Sequence, residues 1–409
     1  DGVGRVKSVC KADYAVEDVV QAWETALWQL LESTPEQVRA HVRSICIDGT
    51  SATAMLVSGT DGKVLLQPKL YNEAQRDEAV EAAKAMAPRA HTATASTSTL
   101  CKVLAWHQAG QLQEAAGAGH DPRLLHHADW LASLLHGNRS VTDWNNALKL
   151  GYDPGSERYP EWLSSQAFAS ILPQEVLAPG SYVGSILADV ASRAGLPDSC
   201  IVAAGTTDSI AAFVAAGVSR PGQAVSSLGS SLAVKLLSVT RVDDAEYGVY
   251  SHRLGNSWLV GGASNTGGAV LRSFFTDDQL RALTERIDVS RPTGFQYYPL
   301  VKPGERFPVN DPQRQPKLTP RPDDDVVFLQ GILESIARIE AEAYKRLADM
   351  GATPVTEVFT AGGGAANVKW TEMRAAAIGV PVSAAAHGDA SYGSALLARQ
   401  AALGVASTT

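Results

Sequence analysis

Apolar residues at helical spacing mark the first regular segment. Val19, Val20, Trp23, Leu27, Leu30 and Leu31 share one face between positions 16 and 32, with acidic residues early in the run, which predicts an amphipathic helix. A short apolar run at 42–47 then enters Asp48-Gly49-Thr50-Ser51. Runs at 54–57 and 64–66 flank Gly59-Thr60-Asp61-Gly62, a hairpin signal. Helices are expected over 76–86, 100–109 and 124–135, and a helix start over 142–151 with Asp143 as its cap. Segment 154–184 carries prolines and glycines and reads as a long connection.

The stretch 200–217 has the sharpest local pattern. Cys200-Ile201-Val202-Ala203-Ala204 is a buried-strand run that meets Gly205; Thr206-Thr207-Asp208-Ser209 then opens an alanine-rich helix closed by Gly217. Asp208 therefore falls in or just before the first helical turn, where orphan N–H groups and the dipole favour a carboxylate. Such a residue is either a plain N-cap or a charged group presented at a strand end.

The second half repeats this logic. Strands are expected at 224–227 and 232–237 around Leu228-Gly229-Ser230-Ser231, and at 250–254 and 258–260 around Gly255-Asn256. Asn265-Thr266-Gly267-Gly268 opens a helix over 269–275, and the proline-rich segment 292–322 reads as a loop covering a surface. The longest helix is expected over 323–350, with Phe328, Ile332, Ile336, Ile339, Ala343 and Leu347 in one stripe. A strand at 355–360, Gly362-Gly363-Gly364, a helix over 365–378, a strand at 381–385 and a helix over 390–403 complete the chain. Strands and helices alternate in both halves, which predicts an α/β fold in two domains. The length of 409 residues also exceeds one ordinary core.

Composition narrows the function classes. A net charge of -8 argues against a nucleic-acid surface, and no apolar run approaches the roughly 20 residues of a membrane span. Cys10, Cys46, Cys101 and Cys200 are scattered without metal spacing, as for buried thiols in a reducing compartment. The chain opens on Asp1-Gly2-Val3-Gly4, which reads as a hairpin turn feeding a strand, and the absence of an initiator Met leads us to expect a missing N-terminal segment.

Three glycine-rich turns carry the candidate chemistry: Gly229-Ser230-Ser231, Gly267-Gly268 and Gly362-Gly363-Gly364. Glycine lets backbone N–H groups approach phosphate oxygens, although a glycine pair before a helix also serves tight packing. None of the three matches the P-loop or dinucleotide fingerprints. As a set they fit phosphate binding by backbone turns, with Asp208 as a carboxylate able to accept a hydroxyl proton. The first half offers Thr50, Ser51, Asn72, Glu73, Asp129, Asn145 and Asn146 as groups suited to a polyol, each equally able to serve as a cap or turn residue. Trp130 and Trp144 offer flat apolar faces, and the adjacent His126 and His127 diverge on a helix and make a poor metal pair.

Taken in order, Asp48-Gly49-Thr50-Ser51, Tyr71-Asn72-Glu73, His127-Ala128-Asp129-Trp130, Gly205-Thr206-Thr207-Asp208-Ser209, Ser227-Leu228-Gly229-Ser230-Ser231, Gly262-Ala263-Ser264-Asn265-Thr266-Gly267-Gly268 and Ala361-Gly362-Gly363-Gly364-Ala365 resemble the FGGY carbohydrate kinases. Within that family the chain is most similar to the plant and cyanobacterial xylulose-kinase-like sugar kinases thought to act on D-ribulose. The resemblance implies two ribonuclease-H-like domains of the actin/hexokinase/Hsp70 type with a cleft between them: a sugar-binding domain over 1–203 and an ATP-binding domain over 204–409. It implies ATP and Mg²⁺, with Asp208 as general base toward the sugar hydroxyl and as metal-facing carboxylate. Ser51, Asn72 and Asp129 would face the sugar. Gly229, Ser230, Ser231, Gly267 and Gly268 would face the phosphates, and Gly362, Gly363, Gly364 and Asn367 the adenosine.

The implied reaction is D-ribulose to D-ribulose 5-phosphate. D-xylulose, another polyol, or a nucleotide-binding pseudokinase are the alternatives. The family's opening strands and D-x-G-T turn have no counterpart at Asp1-Gly2-Val3-Gly4, which aligns with the hairpin after the second strand. The partners implied are small molecules, with neither nucleic acid nor membrane, and the expected location by resemblance is the chloroplast.

Overall fold

The computed structural model describes residues 3–14, 17–89, 91–117 and 119–408, so the turn read at Asp1-Gly2 falls outside them in part. The chain forms two compact units. One comprises residues through Val214 together with those from Asp389 on, and the other runs from Ala215 to Gly388. The sequence had placed a single cut after residue 203; the structure puts it later and returns the final helix to the first unit.

The first unit is built on two three-stranded sheets. In one, Ile201–Thr207 lies between Ser44–Gly49, parallel to it, and Tyr182–Ser185, antiparallel to it. Ile201–Thr207 is buried except at Gly205, as its unbroken apolar run requires of a central strand. Asp48 stands opposite Thr206 and Gly49 opposite Thr207. The chain therefore delivers Asp48 and Asp208 at the carboxyl ends of neighbouring strands. The last helix, Ala390–Thr408, packs on both strands.

In the second sheet the fully buried Ala54–Ser58 pairs antiparallel with Val64–Lys69 and Pro122–His126. The segment 124–135, expected to be helical throughout, is a strand to His126 and a helix only over His127–His136. Leu124 and Leu125 fit either period, and the ladder to Ala54–Ser58 decides between them. Segment 142–151 likewise divides into the strand Val141–Asp143, the short helix Trp144–Ala147 and a 3₁₀ turn at Leu148–Leu150. Asp143 caps it as expected, accepting from the N–H groups of Asn145 (2.8 Å) and Asn146 (3.1 Å). The long connection is more ordered than its prolines announce, since it supplies Glu175–Leu177 and Tyr182–Ser185 as strands.

The second unit is a six-stranded sheet ordered Tyr250–Leu254, Ser257–Ser264, Leu232–Ser238, Gln223–Leu228, Glu357–Ala361, Val382–Ala384, antiparallel on the first side and parallel on the second. The helix Asp325–Asp349 buries its whole expected stripe, Phe328 to Leu347, and Val368–Ile378 packs beside it. The proline-rich segment does more than cover a surface: Tyr297, Tyr298, Leu300 and Phe307 all enter the core. Both units are α/β, in agreement with the sequence pattern.

All four cysteines are free, and burial pushes the thiols of Cys46 and Cys200 up, the latter to about 11. Among the described residues no helix is long and apolar enough to cross a membrane.

Candidate active site

Asp208 opens the helix Asp208–Ala215 directly after Thr207, and its Oδ1 accepts from the N–H of Ser209 at 2.6 Å. Beside it, Asp48 accepts from the Ser394 hydroxyl of the last helix at 2.6 Å. Burial raises the Asp48 carboxyl above its ordinary range, the Ser394 hydrogen bond opposes that rise, and the charge of Asp208 adds to it. Burial lowers the Lys149 ammonium, and Asp208 opposes that shift. Asp208 thus acts electrostatically on a neighbouring acid and a neighbouring base.

Around this centre the structure leaves polar atoms unsatisfied. Asn145 Nδ2 donates to Thr206 Oγ1 at 3.0 Å, but the Oδ1 atoms of Asn145 and Asn146 and the hydroxyl of Thr207 are buried without partners among the described residues. An unpaired buried polar atom costs about 1–3 kcal/mol, so such a group marks a place where water or a ligand completes the bonding.

Ser51 sits in the turn that follows Asp48, next to Ala52, whose φ is +65°. The fully buried Lys102 pins that turn, its Nζ donating to the carbonyls of Ala52 and Leu70 at 2.6 Å each, and burial lowers its ammonium to about 8. From the other side the Thr50 N–H donates to His127 Nδ1 at 3.4 Å, and the imidazole packs on Trp23 with centroids 4.1 Å apart. Burial lowers His127 from 6.5 to about 4, so the ring is neutral at pH 7.

The unfolded chain takes up this proton at a higher pH, so the stability present above pH 6.5 is lost as pH falls toward 4. His136 is lowered to about 4 with the same sign. His127→Asn is therefore expected to reduce, but not abolish, the loss of urea resistance between pH 7 and pH 4.5. An unchanged pH difference in the urea midpoint would contradict this.

The other two sugar-facing candidates are placed differently. Asn72 stands exposed in the turn after Val64–Lys69. Asp129 is buried, and its Oδ2 accepts from the His126 backbone (3.2 Å) and pairs with His126 Nδ1 (2.9 Å), which engages it in the cap of its own helix.

In the second unit the three glycine turns converge. Gly268 N–H donates to the Gly229 carbonyl (2.8 Å), Ala269 N–H to that of Ser230 (3.1 Å), and Leu232 N–H to that of Thr266 (2.7 Å). Gly267 has φ +143°, and a Cβ there would lie 2.8 Å from the Ser231 backbone. Gly362 has φ +83°, and a Cβ there would lie 2.8 Å from the Leu228 carbonyl; one on Gly364 would strike the Leu228 side chain. Residues 228–231 are thus the meeting point of turns that lie far apart in the chain. Gly229, Ser230, Gly362 and Gly363 are exposed there, while Ser231 and Gly364 are half-buried. Asn367 caps Val368–Ile378, accepting from Trp370 N–H at 2.9 Å, and its amide donates to Thr284 Oγ1 at 3.3 Å.

Residues 224–402 match the C-terminal domain of the FGGY family of carbohydrate kinases. That match spans less than half of the chain and is a likeness to the family's C-terminal domain. Solved structures extend the likeness of fold to nearly the whole chain. A xyloylose kinase from Brucella ovis is 24% identical with a TM-score of 0.78, covering 94% of this chain and 81% of its own. A xylulose kinase from Rhodospirillum rubrum is 21% identical (TM-score 0.76; 97% and 86% covered), and the glycerol kinase of Plasmodium falciparum, solved with ADP, is 18% identical (TM-score 0.77; 96% and 82%). The fold of this chain is shared among proteins named for different substrates.

Asp48, Lys149, Lys102 and Ser394 join the site without having been singled out as site residues from the sequence. For Lys102 a signal exists: a lysine inside the apolar run Leu100-Cys101-Lys102-Val103-Leu104 is anomalous on a helix face. Ser394 carries none, because its partner is 346 residues away.

Proposed function

We propose that this chain is an FGGY-type sugar kinase that transfers the γ-phosphoryl group of ATP to the terminal hydroxyl of a ketopentose, D-ribulose ahead of D-xylulose, yielding D-ribulose 5-phosphate and ADP. The observation that carries the reading is the carboxylate of Asp208 at a strand end, beside Asp48 and the unpartnered Asn145, Asn146 and Thr207 atoms. Asp208 takes the hydroxyl proton as the oxygen attacks the γ-phosphorus in line, and the bond from that phosphorus to the β-phosphate bridging oxygen breaks. Ser51, with weaker contributions from Asn72 and Asp129, faces the sugar. The glycine turns around 228–231 hold the phosphates, and Gly362–Gly364 with Asn367 border the adenosine.

Mg²⁺ fits the donors present. It takes one or two carboxylates together with substrate phosphate oxygens, and Asp208 with Asp48 supplies two oxygen-only side chains. Those two residues would hold the ion, which would offset charge on the phosphates. The relatives named for xylulose and glycerol support a polyol hydroxyl as acceptor, and the resemblance to the plant proteins supports a plastid location. Phosphorus NMR of the product tests the reading: the resonance is expected to couple to the two C5 protons of D-ribulose. Phosphorylation at any other oxygen, or of glycerol in preference to ketopentoses, would overturn it.

A further inference from the structure

Glu305 lies in the proline-rich segment, yet it is only 2% exposed and its carboxylate collects four donors. Oε1 accepts from the N–H groups of Asn265 (2.8 Å) and Arg306 (2.9 Å). Oε2 accepts from the hydroxyls of Ser264 (2.6 Å) and Tyr298 (3.0 Å). Among the described residues Glu305 makes no ion pair, so N–H and O–H dipoles alone satisfy the buried anion.

Two of the four donors belong to Ser264 and Asn265. The network continues from them: Thr266 N–H donates to Ser264 Oγ (3.1 Å), and Asn265 Nδ2 to the Gly304 carbonyl (3.0 Å). Ser264-Asn265-Thr266 is the stretch that delivers Gly267 and Gly268 against the 229–231 turn. The hydroxyl of Thr266, in the same stretch, is buried without a partner among the described residues. A carboxylate that accepts from successive groups of one turn fixes its backbone far more sharply than apolar packing would, because each donor left unpaired carries a desolvation penalty.

We propose that Glu305 is a positioning residue for nucleotide binding: it holds the 264–268 turn in the shape that receives phosphate oxygens, so that affinity for ATP and ADP, and not for sugar, depends on it. The inference rests on the reading of the glycine turns as the nucleotide site.

The test is calorimetric titration of the full chain with ATP and with ADP in MgCl₂, together with KM for each substrate. Glu305→Gln turns an amide nitrogen toward two of the donors. It is expected to weaken both nucleotides by about tenfold, while KM for sugar stays within about twofold. Ser264→Ala, which removes the link between Glu305 and Thr266, should weaken them by about fivefold. Tyr298→Phe removes a donor that is not part of the turn, and nucleotide Kd should stay within about twofold.

If Glu305 were only a core residue, all three variants would lower the melting temperature and none would change Kd; that result overturns the inference. If Glu305→Gln does not fold, Ser264→Ala against Tyr298→Phe decides: equal Kd values overturn the inference, and a weaker Ser264→Ala supports it. Wild-type protein that binds neither nucleotide overturns the reading of the site and the inference with it. Wild-type binding with unaltered variants overturns the inference alone.

Discussion

Asp208→Ala is expected to lower kcat for sugar phosphorylation by about 10²–10⁴-fold, the usual contribution of a general base. The carboxylate is half-exposed at the first position of its helix, so its removal opens no core cavity, and folding should survive. Affinity for ATP without Mg²⁺ should change little, because the glycine turns, and not Asp208, are read as its binding groups. Asp208→Asn keeps the size and the hydrogen bond to Ser209 N–H but cannot take a proton, and should lose as much rate as the alanine variant. A steady-state assay paired with nucleotide titration separates the two terms. A near-normal rate in Asp208→Asn would remove Asp208 from the chemistry.

The largest effect on stability is expected at Arg374, on the helix Val368–Ile378. Its guanidinium is fully buried and forks onto Glu340, Nε to Oε2 at 2.6 Å and Nη2 to Oε1 at 2.7 Å, with Nη1 to Thr360 Oγ1 at 2.6 Å. Glu340 also accepts from the Ser226 hydroxyl, which bonds Tyr344 OH at 2.7 Å. Two helices and two strands of the second unit meet in this one network. Arg374→Met leaves the buried Glu340 carboxylate with the Ser226 hydroxyl as its remaining donor and no counter-charge, and is expected to destabilise that unit by about 3–5 kcal/mol. Arg374→Lys should recover little, since an ammonium cannot make the bidentate contact. The double variant Arg374→Met with Glu340→Leu should be less harmful than Arg374→Met alone. Urea unfolding measures all three. A loss below about 1 kcal/mol for Arg374→Met would show that water or a local shift satisfies Glu340.

How far the sequence speaks for the structure depends on how local each feature is. The element around Asp208 was legible because strand, turn and helix start lie within a few residues, and each uses its own residue types. The long helix was legible because a stripe of six apolar residues repeats at helical spacing. The three glycine turns were visible one at a time, but their meeting at 228–231 depends on strand order, which no local pattern encodes. Residues 124–126 read as helix because the two leucines suit both periods and their ladder partners lie more than 60 residues earlier. Glu305 was hidden for another reason: prolines mark a segment as irregular, and irregularity says nothing about burial. The return of the final helix to the first unit is equally nonlocal, since it shows only in contacts such as Ser394 with Asp48.

The central claim is that this chain is a sugar kinase. Coupled detection of ADP from Mg-ATP, with D-ribulose, D-xylulose, glycerol or no sugar present, tests it most directly. The account predicts ADP release that depends on a ketopentose and is fastest with D-ribulose. ATP binding with no sugar-dependent release in any arm would contradict it and leave a nucleotide-binding protein without transferase activity.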